Sequence, residues 1–149
     1  YQYDHSQKID CCSGAAYLIR TQLLKEIGGF RPDFIHTGED LDLMKNVQKF
    51  GYSNYLCVDS KLIHLAGQSS NQNIPRVKVN TILSSHLYIK MHQGAFYAFL
   101  YRFSIYFIEI PVSFLTLLSK KLIGSSSNKL SFKGFNTIVV GLLTWKEIK

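Results

Sequence analysis

Cysteine is scarce in this chain of 149 residues. Cys11, Cys12 and Cys57 form an odd set with no C-x-x-C spacing, which excludes the usual zinc and dithiol arrangements and fits a reducing compartment. The first residues, Tyr1-Gln2-Tyr3-Asp4-His5, hold no basic stretch followed by an apolar run, so they do not read as a secretory signal. An initiator Met is also lacking, and the expectation is a chain that begins inside a longer protein. No internal repeat, helix-turn-helix cue or aromatic RNA-binding signature is visible. Acidic residues are few, 10 against 17 Lys and Arg, which leaves a formal charge of +7 and calls for a polyanionic neighbour. Nucleic acid, an anionic membrane leaflet and a diphosphate-bearing ligand all meet that requirement. Lys90, Arg102, Lys120, Lys121, Lys129 and Lys133 cluster around an apolar tail, and juxtamembrane Lys and Arg are drawn to anionic lipid. The membrane is therefore the expected partner, and nucleic acid is not.

The length is that of one domain, but the composition divides it. Before Asn73 the residues are mixed and globular, whereas 95–118 is dominated by Phe, Tyr, Leu and Ile. Residues 13–19 read as a buried strand entered through small residues. Arg20-Thr21 then opens a short helix bearing Leu23, Leu24 and Ile27, which Gly28-Gly29 ends in a left-handed conformation. Residues 30–38 form a loop. From Glu39, Leu41, Met44 and Val47 recur at helical spacing, with Leu43 and Phe50 beside them, until Gly51 stops the run. Residues 55–58 and 62–65 are short strand candidates, and the polar stretch 67–73 is the expected boundary. Residues 75–92 predict a helix with Val79, Ile82, Leu83 and Leu87 inward.

In the tail, at 100° per residue, Arg102, Glu109, Ser113, Thr116 and Lys120 project within a sector of roughly 60°, one polar stripe against a wide apolar surface. Glu109 and Pro111 argue against a simple span, so a helix lying in the membrane interface is expected. An ordinary core helix with the stripe toward water gives the same pattern. Residues 135–145 predict a further membrane-facing helix with Trp145 and Lys146 at its interfacial end.

Glu39 and Asp40 stand at a loop-to-helix junction, where a carboxylate can point into a cleft and accept a proton from a hydroxyl. A helix N-terminus selects the same residues through its exposed N–H groups and macrodipole. Asp40-Leu41-Asp42 is also a D-x-D, but it opens a helix instead of ending an apolar strand, so Asp42 is expected to be an exposed residue or one of the N-terminal turn, and not a metal ligand. His64 ends a strand candidate, and imidazole serves either as a metal ligand or as a satisfied core side chain. His36, His86 and His92 make no ligand spacing with it. Cys11-Cys12 reads as a small apolar pair, and Gly14-Ala15 as a place where backbone can approach a ligand or a neighbouring helix closely.

Taken in order, Ser13-Gly14-Ala15, Arg20, Gly28-Gly29-Phe30, Gly38-Glu39-Asp40-Leu41-Asp42-Leu43, Gly51-Tyr52, His64 and Ser69-Ser70 resemble glycosyltransferase family 2. The likeness is to bacterial rhamnosyltransferase-like enzymes of surface polysaccharide synthesis, over roughly residues 13–70. Tyr88-Ile89-Lys90-Met91-His92-Gln93-Gly94 is similar to that subgroup's helical tail. The resemblance implies an α/β fold: the C-terminal, acceptor-side portion of a GT-A (Rossmann-like) glycosyltransferase domain over 1–72, followed by membrane-associated helices over 73–149. It implies Asp40 as the general base with Glu39 its acidic neighbour, Gly14, Ala15 and Arg20 as substrate-binding residues, and His64 as the late metal ligand, its imidazole facing the same hollow as Asp40. A divalent ion, Mg²⁺ or Mn²⁺, would take its other ligands from an N-terminal half that this chain lacks. Phe30-Arg31-Pro32-Asp33 departs from the family's Phe-Asp-Glu on the acceptor side. The implied partners are a nucleotide-sugar donor, a glycan or lipid-linked acceptor and an anionic membrane surface, at the cytoplasmic face of a bacterial inner membrane. Rhamnose is the sugar that kinship suggests. Without the donor half, the isolated chain is expected to be inactive, and the competing expectation is a non-catalytic membrane-binding or interaction module.

Overall fold

The computed structural model describes residues 4–34, 37–64, 74–122 and 132–145, with side chains described to 119 in the penultimate helix and from 133 in the last. His36, Leu65, the boundary stretch 67–73 with Ser69 and Ser70, Lys129, Lys146 and the side chains of Lys120 and Lys121 lie outside the described residues. The chain divides into two compact units, Tyr1–Ala66 and Gly67–Lys149.

In the first unit the order is β1 (Gln7–Ile9), α1 (Thr21–Ile27), α2 (Glu39–Lys49) and β2 (Asn54–Leu56). The strands pair antiparallel with Lys8 opposite Tyr55. β1 is too short to carry an alternating pattern and is not foreseen from sequence. Helix α1 ends at Gly28, whose φ of +88° lets the N–H groups of Gly28 and Gly29 turn back onto the carbonyls of Lys25 and Leu24. In α2 the buried residues are Asp42, Leu43, Met44 and Val47, while Leu41 and Phe50 are exposed. Leu41 and Leu43 lie about 200° apart on a helix, so only one can face inward, and tertiary packing chose Leu43. Amides lock α2 to the strands: Gln48 Nε2 donates to the Asp10 carbonyl (2.9 Å), and Asn54 Nδ2 donates to the carbonyls of Asp10 and Met44.

Residues 13–19 are not a buried strand. They form a turn at 14–16 and an extended, exposed run in which Leu18 is fully open to solvent. A strand needs a ladder partner for its N–H and C=O groups, and among the described residues the sheet is closed with β1 and β2 alone. Residues 61–64 are likewise irregular and exposed.

The second unit is helical: α3 (Ile74–His92), α4 (Ala95–Ser104), a π-helical turn (Ile105–Glu109), α5 (Ile110–Leu122) and α6 (Phe132–Thr144). Val79, Ile82, Ile105, Ile138 and Leu142 form its core, with Leu83, Tyr101, Tyr106, Ile110 and Trp145 packed around it. The π turn has a local cause. Pro111 has no N–H and its ring would strike the carbonyl four residues back, so the helix widens just before it and the Ile110 N–H reaches Ile105 O, five residues away. That turn changes the phase of everything downstream, so the stripe predicted for an unbroken helix is bent. Its Glu109 pairs with Lys78 of α3 at 3.1 Å, and its Arg102 lies 4.4 Å over the Trp145 ring beyond the end of α6.

Candidate active site

The start of α2 meets the turn at Gly14. The Gly14 N–H donates to Asp40 Oδ2 at 2.8 Å, and the Leu41 N–H donates to Asp40 Oδ1 at 2.8 Å. The approach is close enough that a Cβ on Gly14 would sit 3.0 Å from both Asp40 Cβ and Oδ2. A carboxylate has about four lone-pair sites, so each oxygen keeps capacity for one more proton donor. Asp40 is half-buried, tethered on two sides and open to a hydroxyl. Beside it, Glu39 Oε2 is covered from solvent without a hydrogen-bond partner among the described residues. Such an atom is costly unless a further donor reaches it.

Tyr17, which the sequence did not single out, joins this place with Phe30 and Cys12. Burial pushes the Tyr17 phenol above its ordinary range, and the nearby charges of Asp40, Glu39 and Cys12 push it further. It thus keeps its proton and remains a donor at neutral pH. The Phe30 ring lies 6.1 Å from the Tyr17 ring, tilted by 55°. The Cys12 thiol is raised by burial, then by Cys11 and Asp40, and the Cys12 N–H points at Met44 Sδ (3.2 Å) in α2. The only sequence signal for this aromatic pair was Phe30 within Gly28-Gly29-Phe30. Tyr17 was hidden inside the strand assignment.

The other expected residues make no hydrogen bond to Asp40 among the described residues. The Ala15 N–H reaches its neighbour Ser13 Oγ (3.4 Å), and the Arg20 carbonyl accepts the Leu24 N–H at the start of α1 while its side chain is exposed. His64 is exposed, and no hydrogen bond or ion pair joins it to Asp40 among the described residues. No three His, Cys, Asp or Glu side chains gather among the described residues into a group able to hold a metal. These residues do not make a metal site by themselves, and the chemistry below uses none. Of the two places expected for Asp42, exposed or in the N-terminal turn, the structure has the second: it belongs to the first turn, is 1% exposed, and its carboxylate accepts the Asn46 amide at 3.1 Å. Burial of a charge is tolerable where hydrogen bonds replace water. No family model, curated protein or solved structure matches this chain.

Proposed function

We propose that residues 1–66 are the acceptor side of an inverting glycosyltransferase, with Asp40 as its base. The observation that carries this reading is the 2.8 Å bond from the Gly14 N–H to Asp40. It joins two separate segments singled out by the family 2 resemblance, and it aims a carboxylate with spare acceptor capacity beside a phenol and a phenyl ring. In the reaction, an acceptor hydroxyl gives its proton to a free lone pair of Asp40 as its oxygen bonds to the anomeric carbon. The bond from that carbon to a nucleoside diphosphate breaks on the opposite face, and the diphosphate leaves with the electron pair. Glu39 and the Tyr17 phenol are placed to hold neighbouring sugar hydroxyls. The donor pocket and any divalent ion, to which His64 would contribute one ligand, belong to residues outside this chain. The acceptor is a growing surface polysaccharide or a lipid-linked glycan, and rhamnose is the first donor sugar to try.

The test is glycan extension by the full-length gene product carrying Asp40→Asn. Loss of transfer with an unchanged fold is expected, and near-normal turnover removes Asp40 from the chemistry. A second reading, a non-catalytic membrane-binding module, is favoured by the exposed apolar face of α4 and α5. It predicts that Asp40→Asn changes nothing measurable while membrane attachment persists.

A further inference from the structure

Independently of what Asp40 does, we infer that the second unit binds an anionic bilayer by laying one side, the outer face of α4 and α5, flat into the interface. Helix residues Ala95–Ser119 are long and apolar enough to cross a membrane, yet the bundle around them is one-sided. Phe99, Phe103 and Phe107 make an aromatic ladder along the outer face, with Phe103 and Phe107 stacked at 4.3 Å and Phe107 65% exposed. Leu115 and Leu118 extend it. Two charged groups of the same helix are held by neighbouring helical elements: Glu109 is paired with Lys78 on α3, and the Arg102 guanidinium lies over the Trp145 ring. A water-soluble helix does the reverse, hiding its apolar stripe and exposing its charges.

Charge identifies the occupant. The second unit holds ten Lys and Arg against two Glu, whereas the first holds seven against eight acidic residues. All of the net positive charge thus belongs to the unit with the apolar face. An apolar face flanked by cations matches the headgroup and acyl boundary of an anionic leaflet. A second copy would be repelled by the same charge. The other sides decide between lying and spanning. Arg76 and Lys90 on α3, and Asn136 and Thr137 on α6, are all exposed and would face hydrocarbon if the bundle spanned. Laid flat, they stay in water or among headgroups.

The experiment is flotation of the chain with vesicles of phosphatidylcholine containing phosphatidylglycerol, against pure phosphatidylcholine. Oriented circular dichroism of the bound state reads the helix direction. Phe103→Glu with Phe107→Glu is expected to lower the partition coefficient by about 100-fold, since fully burying each ring is worth a factor of ten or more. Lys90→Ala, which leaves the apolar face whole, is expected to lower it about 5-fold on anionic vesicles only. Far-UV circular dichroism checks that both variants keep their helices, and Phe107→Gln replaces the double variant if it does not fold. Helices parallel to the surface with these losses support the inference. Partition unaffected by the Phe variants, equal binding to both vesicle types, helices along the membrane normal, or a vesicle-free dimer that the Phe variants dissolve would each overturn it.

Discussion

Asp40→Asn separates a base from a helix cap, because the two roles predict different magnitudes. Asparagine keeps the volume and one acceptor oxygen, enough for either the Gly14 or the Leu41 N–H group, while its NH2 cannot accept the other, so the charge and one hydrogen bond are lost. Removing a carboxylate from the first turn costs about 0.3–1 kcal/mol. Losing one of the two N–H bonds at this water-accessible site costs about 1 kcal/mol more, so stability falls by roughly 2 kcal/mol. Losing a general base lowers the rate by about 10² to 10⁴, or about 3–5 kcal/mol of activation free energy. Gly14→Ala probes the same contact from the other side. Its Cβ would lie 3.0 Å from the Asp40 side chain, so the carboxylate must give way by a few tenths of an ångström and its bond to the Gly14 N–H is disturbed while the chain still folds. Transfer is expected to drop at least about tenfold, as misplacing a reacting group does. Both variants are assayed in the full-length gene product by nucleoside diphosphate release and glycan extension, with thermal melts in parallel. If Asp40→Asn turns over within twofold of wild type while melting within about 2 kcal/mol of it, the carboxylate is a cap and the catalytic reasoning fails.

Leu43→Ala is expected to cost the first unit about 2–5 kcal/mol, and Leu41→Ala under about 1, because Leu43 is buried and Leu41 is not; equal effects in urea melts would contradict the orientation of α2. Alkylation followed by mass spectrometry is expected to modify Cys11 and Cys57, both exposed, before Cys12, whose thiol is half-buried and raised by burial, so that less thiolate is available at a given pH. Early labelling of Cys12 would contradict that placement. Burial, Arg102 and then Lys90 lower the His86 imidazole below its ordinary value. Its contribution to stability is therefore present above the unfolded histidine range and lost as pH falls through that range toward the lower folded value. Melts of the chain from pH 7.5 to 5 should show this loss, and His86→Gln should flatten it; an unchanged slope would remove His86 from the linkage.

The helices were legible because each carries its own punctuation. Gly28 ends α1 in the left-handed region, Gly51 follows α2, and Gly94 divides α3 from α4. Of the strands, β2 falls on the 55–58 candidate, whereas β1 was not foreseen because three residues carry too little pattern, and residues 13–19 look like a strand while pairing with none among the described residues. At the candidate site, Glu39 and Asp40 could be singled out by position. Tyr17 and the burial of Asp42 could not, because each depends on what another segment brings alongside.

Sequence alone determined the ends of the first three helices to within a residue or two, the apolar character of residues 95–118 and the charge of the chain, all of them properties of residues and their near neighbours. The tertiary structure decided that Gly14 closes on Asp40, that Leu43 and not Leu41 turns inward, and that Glu109 and Arg102 turn toward α3 and Trp145 while Phe99, Phe103 and Phe107 stay exposed. Periodicity specifies which residues share a face of a helix. Which way that face points is set by the partners that can satisfy it, and those are distant in the chain.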